Sequence, residues 1–441
     1  MRMLLSYITA VLAGLGQIAC AGNPLATNDQ RDLDALAIDL SQSDAFDFLR
    51  DAARAKFISR LKKFGKPIDD DINSDIDVAI DELVFSSIQK AVNNDPAYPK
   101  VYWTDAPPRP DHWFGLSVPG GRYSYDNPDC IYRTIPISDK YKYKIHGRRA
   151  ANAPLDVTFS LISNPNSQNT VSSLMGEDLQ VEEDGSFTIT ISSEDSDSKN
   201  HIKSNWQAVQ LFVRNNLADW NKDTPDELSV EIVDNKGAKP ATNDTIINQA
   251  KTNLAESIFF YGFGALDVKT FLNPLNELQK PTQSQILGTL TTQASSFGHF
   301  NLAEDEAIVV TLSSGQATYW VLPVYSLGMV THSPWENIVS FNSKQAKQNN
   351  NGTYTFVVSQ TDPGVYNWAN TTARTQGTIM GRWQGLSTEG DGTDGIEVSS
   401  SIVKLSDLPR ILPEETVYVD AEQRQEQVQE RIQGYNRIHF Q

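Results

Sequence analysis

The chain contains one short pattern twice. A strand-like run that opens with glycine is followed by a loop ending in Asn-Trp, and then by a second strand-like run that carries an arginine. The first copy comprises residues 185–192, Asn205, Trp206 and Arg214, and the second comprises residues 352–359, Asn367, Trp368 and Arg382. Such a duplication predicts two related β-units with equivalent positions. It constrains the architecture, because each unit must bury its own apolar face, but it does not specify a reaction.

The N-terminus has the composition of a secretory signal peptide. Arg2 supplies a positive charge, residues 4–15 form a short apolar run, and the Ala-Cys-Ala sequence ending at Ala21 fits a cleavage site. We therefore predict cleavage after Ala21 and a secreted mature protein. The apolar run is too short to span a bilayer, and no later segment is apolar over about 18 uninterrupted residues.

Two further features bear on the secreted form. Sequons at Asn243, Asn351 and Asn370 predict glycosylation sites on surface loops. Cleavage would remove Cys20, which leaves Cys130 alone and predicts no intramolecular disulfide. No histidine flanks Cys130, so we interpret it as a packed, inert thiol and not as a nucleophile.

The chain is acidic, with a formal net charge of −18. Nucleic acid and anionic membrane surfaces would repel it, so we predict neither as a partner. The one basic run, residues 140–149, alternates apolar and cationic side chains. We interpret it as a half-buried strand with a solvated cationic face, with an anion-binding face as the alternative.

Periodicity divides the mature chain into four parts and predicts an α+β, mostly β fold of antiparallel β-sandwich or jelly-roll units. Helical spacing dominates the N-terminus and the tail, whereas alternation dominates two long stretches. A signal peptide is predicted at 1–21. The four parts that follow it are an N-terminal helical segment at 22–95, a first β-unit at 96–235, a mixed helical connector at 236–300, and a second β-unit with a C-terminal helix at 301–441.

Familiar catalytic patterns are missing from the sequence. It has no Gly-x-Ser-x-Gly elbow and no phosphate-binding glycine loop. Its six histidines are scattered, and the acidic glycine loop at 389–395 lacks the full EF-hand pattern, which favours a plain turn. We therefore predict no metal and no cofactor.

The repeated polar residues are the remaining candidates for ligand binding. A tryptophan can stack on a flat ligand, an asparagine can hydrogen-bond a carbonyl, and an arginine can hold an anion or an enolate oxygen. The candidate residues are Asn205, Trp206, Arg214, Asn367, Trp368 and Arg382. The structural alternative is that Asn and Trp fix a turn entering a strand, while Arg pairs with a carboxylate such as Asp219 or Asp362.

The second copy resembles the signature of the domain of unknown function 1214 family, which is often paired with domain of unknown function 1254. The residues carrying the resemblance are Asp362, Asn367, Trp368, Gly377, Arg382 and Gln384, with Ser340, Asn342 and Gln345 upstream and Asn127, Tyr132, Arg214 and Trp220 in the first unit. The match spans roughly residues 75–440. The resemblance implies β-sandwich or jelly-roll units with added helices and secreted fungal or bacterial members, and it assigns no catalytic residue. Asn370 stands where the family often has Asp.

Three functions stay open at this stage, and whether the protein is an enzyme is one of the open points. The first is a secreted glycoprotein that binds, with or without transforming it, a small apolar organic molecule of the secondary-metabolite type, and uses no cofactor. The second is a non-catalytic extracellular or cell-wall protein, and the third an atypical hydrolase. A ligand-handling protein should have an apolar pocket walled by tryptophan, and a structural protein a filled interior.

Overall fold

A computed structural model describes residues 23–233, 241–283 and 290–439. The predicted signal peptide, its cleavage site and Cys20 lie outside these residues. Within the described ranges, no helix combines the length and the apolarity needed to cross a bilayer.

Three helices form the N-terminal segment: α1 Asn28–Ser41, α2 Asp47–Lys63 and α3 Asp70–Val92. The chain breaks after α2, where Gly65 has a φ of 67°. The next helix, α3, begins with a side-chain N-cap. Asp69 is the cap: its Oδ1 accepts a hydrogen bond from the Ile72 backbone N–H at 2.8 Å, and the helix already includes Asn73.

The first β-unit consists of two packed sheets. One has the strand order β1-β4-β10-β6-β7 and the other β11-β5-β8-β9. The strands are β1 Tyr102–Thr104, β2 Arg109–Trp113, β3 Leu116–Val118, β4 Cys130–Pro136, β5 Tyr143–Arg148, β6 Asp156–Ile162, β7 Thr170–Met175, β8 Ser186–Ser192, β9 His201–Lys203, β10 Gln210–Asn216 and β11 Glu227–Ile232. Apolar side chains from both sheets form one core, in which the rings of Phe159 and Phe187 lie 6.1 Å apart. Strands β2 and β3 form a separate two-stranded sheet.

A helical connector follows the first unit. It consists of α4 Asn243–Phe259 and a π-helix, Phe260–Phe271. The π-helix passes through two glycines, Gly262 and Gly264. Each costs about 1 kcal/mol relative to alanine in a helix, but buried neighbours such as Tyr261 and Leu266 anchor the segment to the core.

The second β-unit repeats the arrangement of the first. Its sheets have the orders β12-β13-β19-β15-β16 and β18-β17-β14-β20. The elements are β12 Thr282–Gln283, β13 Ala294–Asn301, β14 Glu306–Leu312, β15 Tyr319–Tyr325, β16 Ser340–Asn342, β17 Tyr354–Ser359, β18 Trp368–Asn370, β19 Gln376–Gln384, β20 Val398–Lys404, α5 Leu408–Ile411 and α6 Ala421–His439. The α+β, mostly β fold is therefore confirmed. Strand β13 begins inside the range predicted for the connector.

The strand orders confirm the duplication. In both five-stranded sheets the central strand, β10 or β19, carries the repeated arginine. In both four-stranded sheets one short strand pairs in parallel with its neighbour, β9 with β8 and β18 with β17. Arg214 and Arg382 thus occupy equivalent strands.

The predicted alignment of the two Asn-Trp pairs, however, is wrong. Asn367 precedes β18, and its side chain exchanges two hydrogen bonds of 2.8 Å with the Lys347 backbone. Asn200 precedes β9 and exchanges the same two bonds with the Gln180 backbone, at 2.8 and 2.7 Å. Asn205 lies beyond β9, so the register makes Asn200, and not Asn205, the equivalent of Asn367.

The outer faces of the two five-stranded sheets face each other. At their closest approach Asn216 Nδ2 of β10 donates to Gln384 Oε1 of β19 at 2.6 Å. Nearby, Asn342 Nδ2 of β16 donates to Asp129 Oδ2 of the first unit at 2.8 Å. Helix α6 closes this junction, where Tyr435 stacks on Trp220 at 4.2 Å between ring centroids. The contact surface of the two units is therefore polar, and cavities lined by both units lie along it.

Candidate functional site between the two β-units

A cavity of about 80 Å³ lies between the two five-stranded sheets. Both β-units, the π-helix and four loops contribute to its wall. The lining residues are Asp105, Tyr123, Ser124, Tyr125, Tyr132, Gln168, Arg214, Ala265, Lys269, Leu290, Gln293, Phe297, Met380, Arg382 and Gln384. This is small beside the roughly 300–1,000 Å³ of clefts that hold drug-sized ligands, so the cavity suits a small molecule or the polar head of a larger one.

The two repeated arginines meet in this cavity. Arg214 and Arg382 are both buried, and alternation places them on the sheet faces opposite the sandwich cores. The alternation of side chains along the sequence is enough to assign these faces. It could not show that the two faces are turned towards each other, because that depends on how the two units pack.

Neither arginine has a carboxylate partner among the ion pairs of the described residues. Arg214 Nη2 donates to Gln168 Oε1 at 3.2 Å, and its guanidinium lies 4.3 Å from the ring centroid of Phe212. Burial lowers the pKa of Arg214, as expected for a cation removed from water without a counter-charge. A buried cation of this kind is stabilised by an anion.

Arg382 is held more firmly. Its Nη2 donates to the Tyr325 hydroxyl at 2.9 Å and to the Tyr125 backbone carbonyl. Its Nε has no hydrogen-bond partner among the described residues. The Nη2 group of Arg382 is therefore bound within the fold, whereas its Nε–H is available to a ligand in the cavity.

Four residues of the cavity wall have left-handed backbone conformations. The φ angles are 55° at Asp105, 38° at Ser124, 68° at Tyr125 and 52° at Gln168. Non-glycine residues adopt such angles rarely, at a cost of about 1–3 kcal/mol each. Strained conformations of this kind cluster at binding and active sites, so their concentration here marks the cavity as a candidate site.

Asp105 is the only carboxylic acid among the described residues that line the cavity. It is 7% exposed, and its Oδ1 has no hydrogen-bond partner among the described residues. Burial, reinforced by the negative charge of Asp126, raises the pKa of Asp105 well above its usual range. Burial therefore favours the neutral, proton-donating form of this group.

Two lysines complete the charge pattern. Lys269 lies in the wall, and burial lowers its pKa to about 8. Lys90 of α3 lies behind Tyr123, with Nζ 3.9 Å from the ring centroid, and burial lowers its pKa to about 7 although Asp105 opposes the shift. The wall itself thus carries two arginines and a lysine against one largely neutral acid, which suits an anionic ligand.

The Asn-Trp residues lie away from the cavity. Asn205 and Trp206 are on the surface, and Trp206 is 79% exposed. Asn367 and Trp368 are buried in the second unit, where they bind backbone and side-chain groups of neighbouring strands. Among the predicted ligand-binding residues, the structure therefore brings together Arg214 and Arg382 only.

The predicted carboxylate partners are also elsewhere. Asp362 pairs with Arg424 of α6 at 2.8 Å, and Asp219 pairs with Lys222 at 2.7 Å. The alternative that these acids neutralise Arg214 or Arg382 is wrong, because each acid forms an ion pair with another cation in the folded protein.

The sequence analysis missed Asp105 and Gln168. Asp105 follows the short strand β1, and Gln168 lies in the loop between β6 and β7. No spacing or motif marks either residue, since long-range packing alone brings both to the cavity. The structure marks these residues by their left-handed backbone conformation, which is unusual outside glycine and cannot be recognised from the sequence.

The other sites predicted from the sequence do not contribute to the cavity wall. Cys130 is buried beside Tyr132 and Phe212, and burial raises the pKa of its thiol, as expected for an inert cysteine. Of the three sequons, Asn243 and Asn351 are exposed, whereas Asn370 is half-buried at the end of β18. Within the described ranges, no group of three or more His, Cys, Asp or Glu side chains is arranged to hold a metal ion.

Comparisons with known proteins agree with this architecture. Residues 136–215 and 291–384, one segment in each β-unit, match the family model described as a protein of unknown function (DUF1214). The chain is similar in structure to an uncharacterized protein from Burkholderia cenocepacia, with a TM-score of 0.69 at 20% identity, over 84% of this chain and 100% of that one. The VPA0106 protein from Vibrio parahaemolyticus gives a TM-score of 0.39 at 12% identity, over 75% and 100%. No curated protein matches the chain in sequence.

Proposed function

We propose that this chain, which belongs to the DUF1214 family, binds a small organic molecule through a carboxylate or enolate oxygen in the cavity between its β-units. The observation that carries the proposal is the convergence of Arg214 and Arg382, from equivalent strands, on one buried cavity without a carboxylate partner. Arginine binds carboxylates strongly because its planar group can donate two parallel hydrogen bonds.

The cavity wall favours a polar group over the apolar ligand expected from the sequence. It contains no tryptophan, and its cations are Arg214, Arg382 and Lys269. An apolar body, as in a secondary metabolite, would have to extend beyond the enclosed volume. A purely structural role is less favoured, because it does not account for two buried arginines that converge on one cavity with no carboxylate of the described residues at ion-pair distance.

The proposal is tested with 2-oxobutanoate and its neutral amide as a matched pair of probes. The carboxylate should bind and raise the melting temperature, while the amide should not. Arg214→Gln should weaken binding about 10- to 100-fold, the range for the loss of a charged hydrogen bond. Titration calorimetry measures the affinity, and a melting curve verifies the fold of each variant.

The control is Arg148→Gln, which removes an exposed arginine from the same β-unit. Arg148 pairs with Asp184 on the surface at 3.6 Å, so its loss should leave the affinity unchanged. Equal binding of the carboxylate and the amide, or equal weakening by both substitutions, would contradict the proposed site.

We also propose that the protein is exported and cleaved after Ala21. The support is the charged, apolar and small-residue order of residues 1–21. N-terminal sequencing of protein from the culture medium should begin at Gly22, and glycosidase treatment should reduce its mass through the exposed Asn243 and Asn351. Recovery of the chain inside the cell with Met1 retained would contradict export.

A further inference from the structure

We propose that Asp105 is a catalytic residue that transfers a proton to and from the carbon next to the carbonyl of a small oxo acid held by Arg214 and Arg382. This inference rests on the proposed function and adds a reaction and a substrate class to it. It is carried by the position of Asp105 in the wall of the cavity and by its unpartnered carboxyl oxygen.

The geometry separates Asp105 from ordinary buried acids of this chain. Asp34, for example, accepts hydrogen bonds from Arg109 and Trp113 and is fully satisfied by the fold. Asp105 has its Oδ1 buried without a donor, which costs free energy in the folded protein. It also has a φ of 55°, a second unfavourable feature at the same residue. A bound ligand that supplies the missing partner would offset this cost.

Lys90 is a buried lysine whose positive charge acts on Asp105. Its amine donates to Asn166 Oδ1 at 3.2 Å. Burial raises the pKa of Asp105 and lowers the pKa of Lys90, while the attraction between the two charges opposes both shifts. Lys90 therefore favours the carboxylate form of Asp105, which accepts a proton, whereas burial favours the acid form, which returns it.

The step is a proton transfer that balances without any further reactant. The Asp105 carboxylate removes the proton from the carbon next to the ligand carbonyl, and the electron pair of that C–H bond forms the C=C bond of an enolate. The negative charge moves to the carbonyl oxygen, where the arginines stabilise it. Asp105 then returns the proton to carbon or to oxygen, so the reaction is an enolisation or isomerisation with no net oxidation.

The test follows exchange of the C3 protons of 2-oxobutanoate for deuterium in D2O by proton NMR. The wild-type protein should accelerate exchange over a sample without protein. Asp105→Asn should slow it at least about 100-fold, the lower range of acid–base catalysis, with an affinity within about threefold of wild type. Asparagine suits this position because it tolerates a positive φ. Asp105→Glu, which keeps a carboxyl group, should retain more exchange than Asp105→Asn.

Two further variants keep the test decisive. Lys90→Gln should also slow exchange while the probe still binds, which covers the case in which Asp105→Asn does not fold. Asp32→Asn, on the exposed face of α1, should exchange at the wild-type rate.

The outcomes distinguish the two proposals. Binding that depends on Arg214 without accelerated exchange would overturn this inference and leave the proposed function standing. Wild-type exchange in both Asp105→Asn and Lys90→Gln would do the same. Absence of any binding of 2-oxobutanoate would overturn the proposed site together with the inference.

Discussion

Asp34→Ala should lower the free energy of unfolding by about 3–5 kcal/mol, the range for breaking a buried ion pair. Asp34 and Arg109 are 0% and 1% exposed, and their charged groups are 3.1 Å apart. Asp34 also accepts hydrogen bonds from Tyr102 and Trp113, both at 2.9 Å. The substitution leaves the guanidinium of Arg109 buried without its ion-pair partner and removes the acceptor of three further donors, those of Tyr102, Trp113 and Gln30. Denaturant unfolding followed by tryptophan fluorescence measures the loss.

Asp32→Asn is the matched control on the same helix. Asp32 pairs with Arg31 at 2.8 Å, but both side chains are about half exposed. Solvent screens such a pair, so its removal should change the free energy of unfolding by less than about 1 kcal/mol. Similar values for the two substitutions would contradict the assignment of Asp34 as the acid that joins the N-terminal helices to the first β-unit.

Trp368→Ala should lower the free energy of unfolding by about 3–5 kcal/mol, whereas Trp206→Ala should change it by less than about 0.5 kcal/mol. Trp368 is 8% exposed, and its Nε1 donates to Ser359 Oγ at 3.0 Å. Its removal leaves a cavity and takes one donor away from the Ser359 hydroxyl, which still donates to the Thr361 carbonyl at 2.8 Å. Trp206 contacts mainly solvent. Thermal and denaturant melts of both variants measure the difference.

This pair of substitutions also tests the corrected alignment of the two β-units. In the first unit the position equivalent to Trp368 is His201, whose Nε2 lies 3.1 Å from Ser192 Oγ. His201→Ala should therefore be the milder counterpart of Trp368→Ala. Equal destabilisation by Trp206→Ala and Trp368→Ala would support the alignment of the Asn-Trp pairs instead and would contradict the strand register.

The fold class was predictable because it depends on local patterns. Alternating side chains predict half-buried strands, helical spacing predicts the N-terminal helices and α6, and glycine predicts the break at Gly65. Where the prediction failed, tertiary contacts outweighed local preference. The π-helix runs through Gly262 and Gly264 because the residues around them are buried, and the repeat was misaligned because identical residue pairs are weaker signals than strand register.

The candidate site was predictable only in part, and the division has a physical reason. Alternation along β10 and β19 determined by itself that Arg214 and Arg382 lie on the faces opposite the cores, since neighbouring side chains of a strand point in opposite directions. Only the tertiary structure decided that these faces meet around a cavity, that Asp105 lies in its wall, and that Trp206 faces solvent. Those features depend on contacts between residues far apart in the chain, which no local pattern encodes.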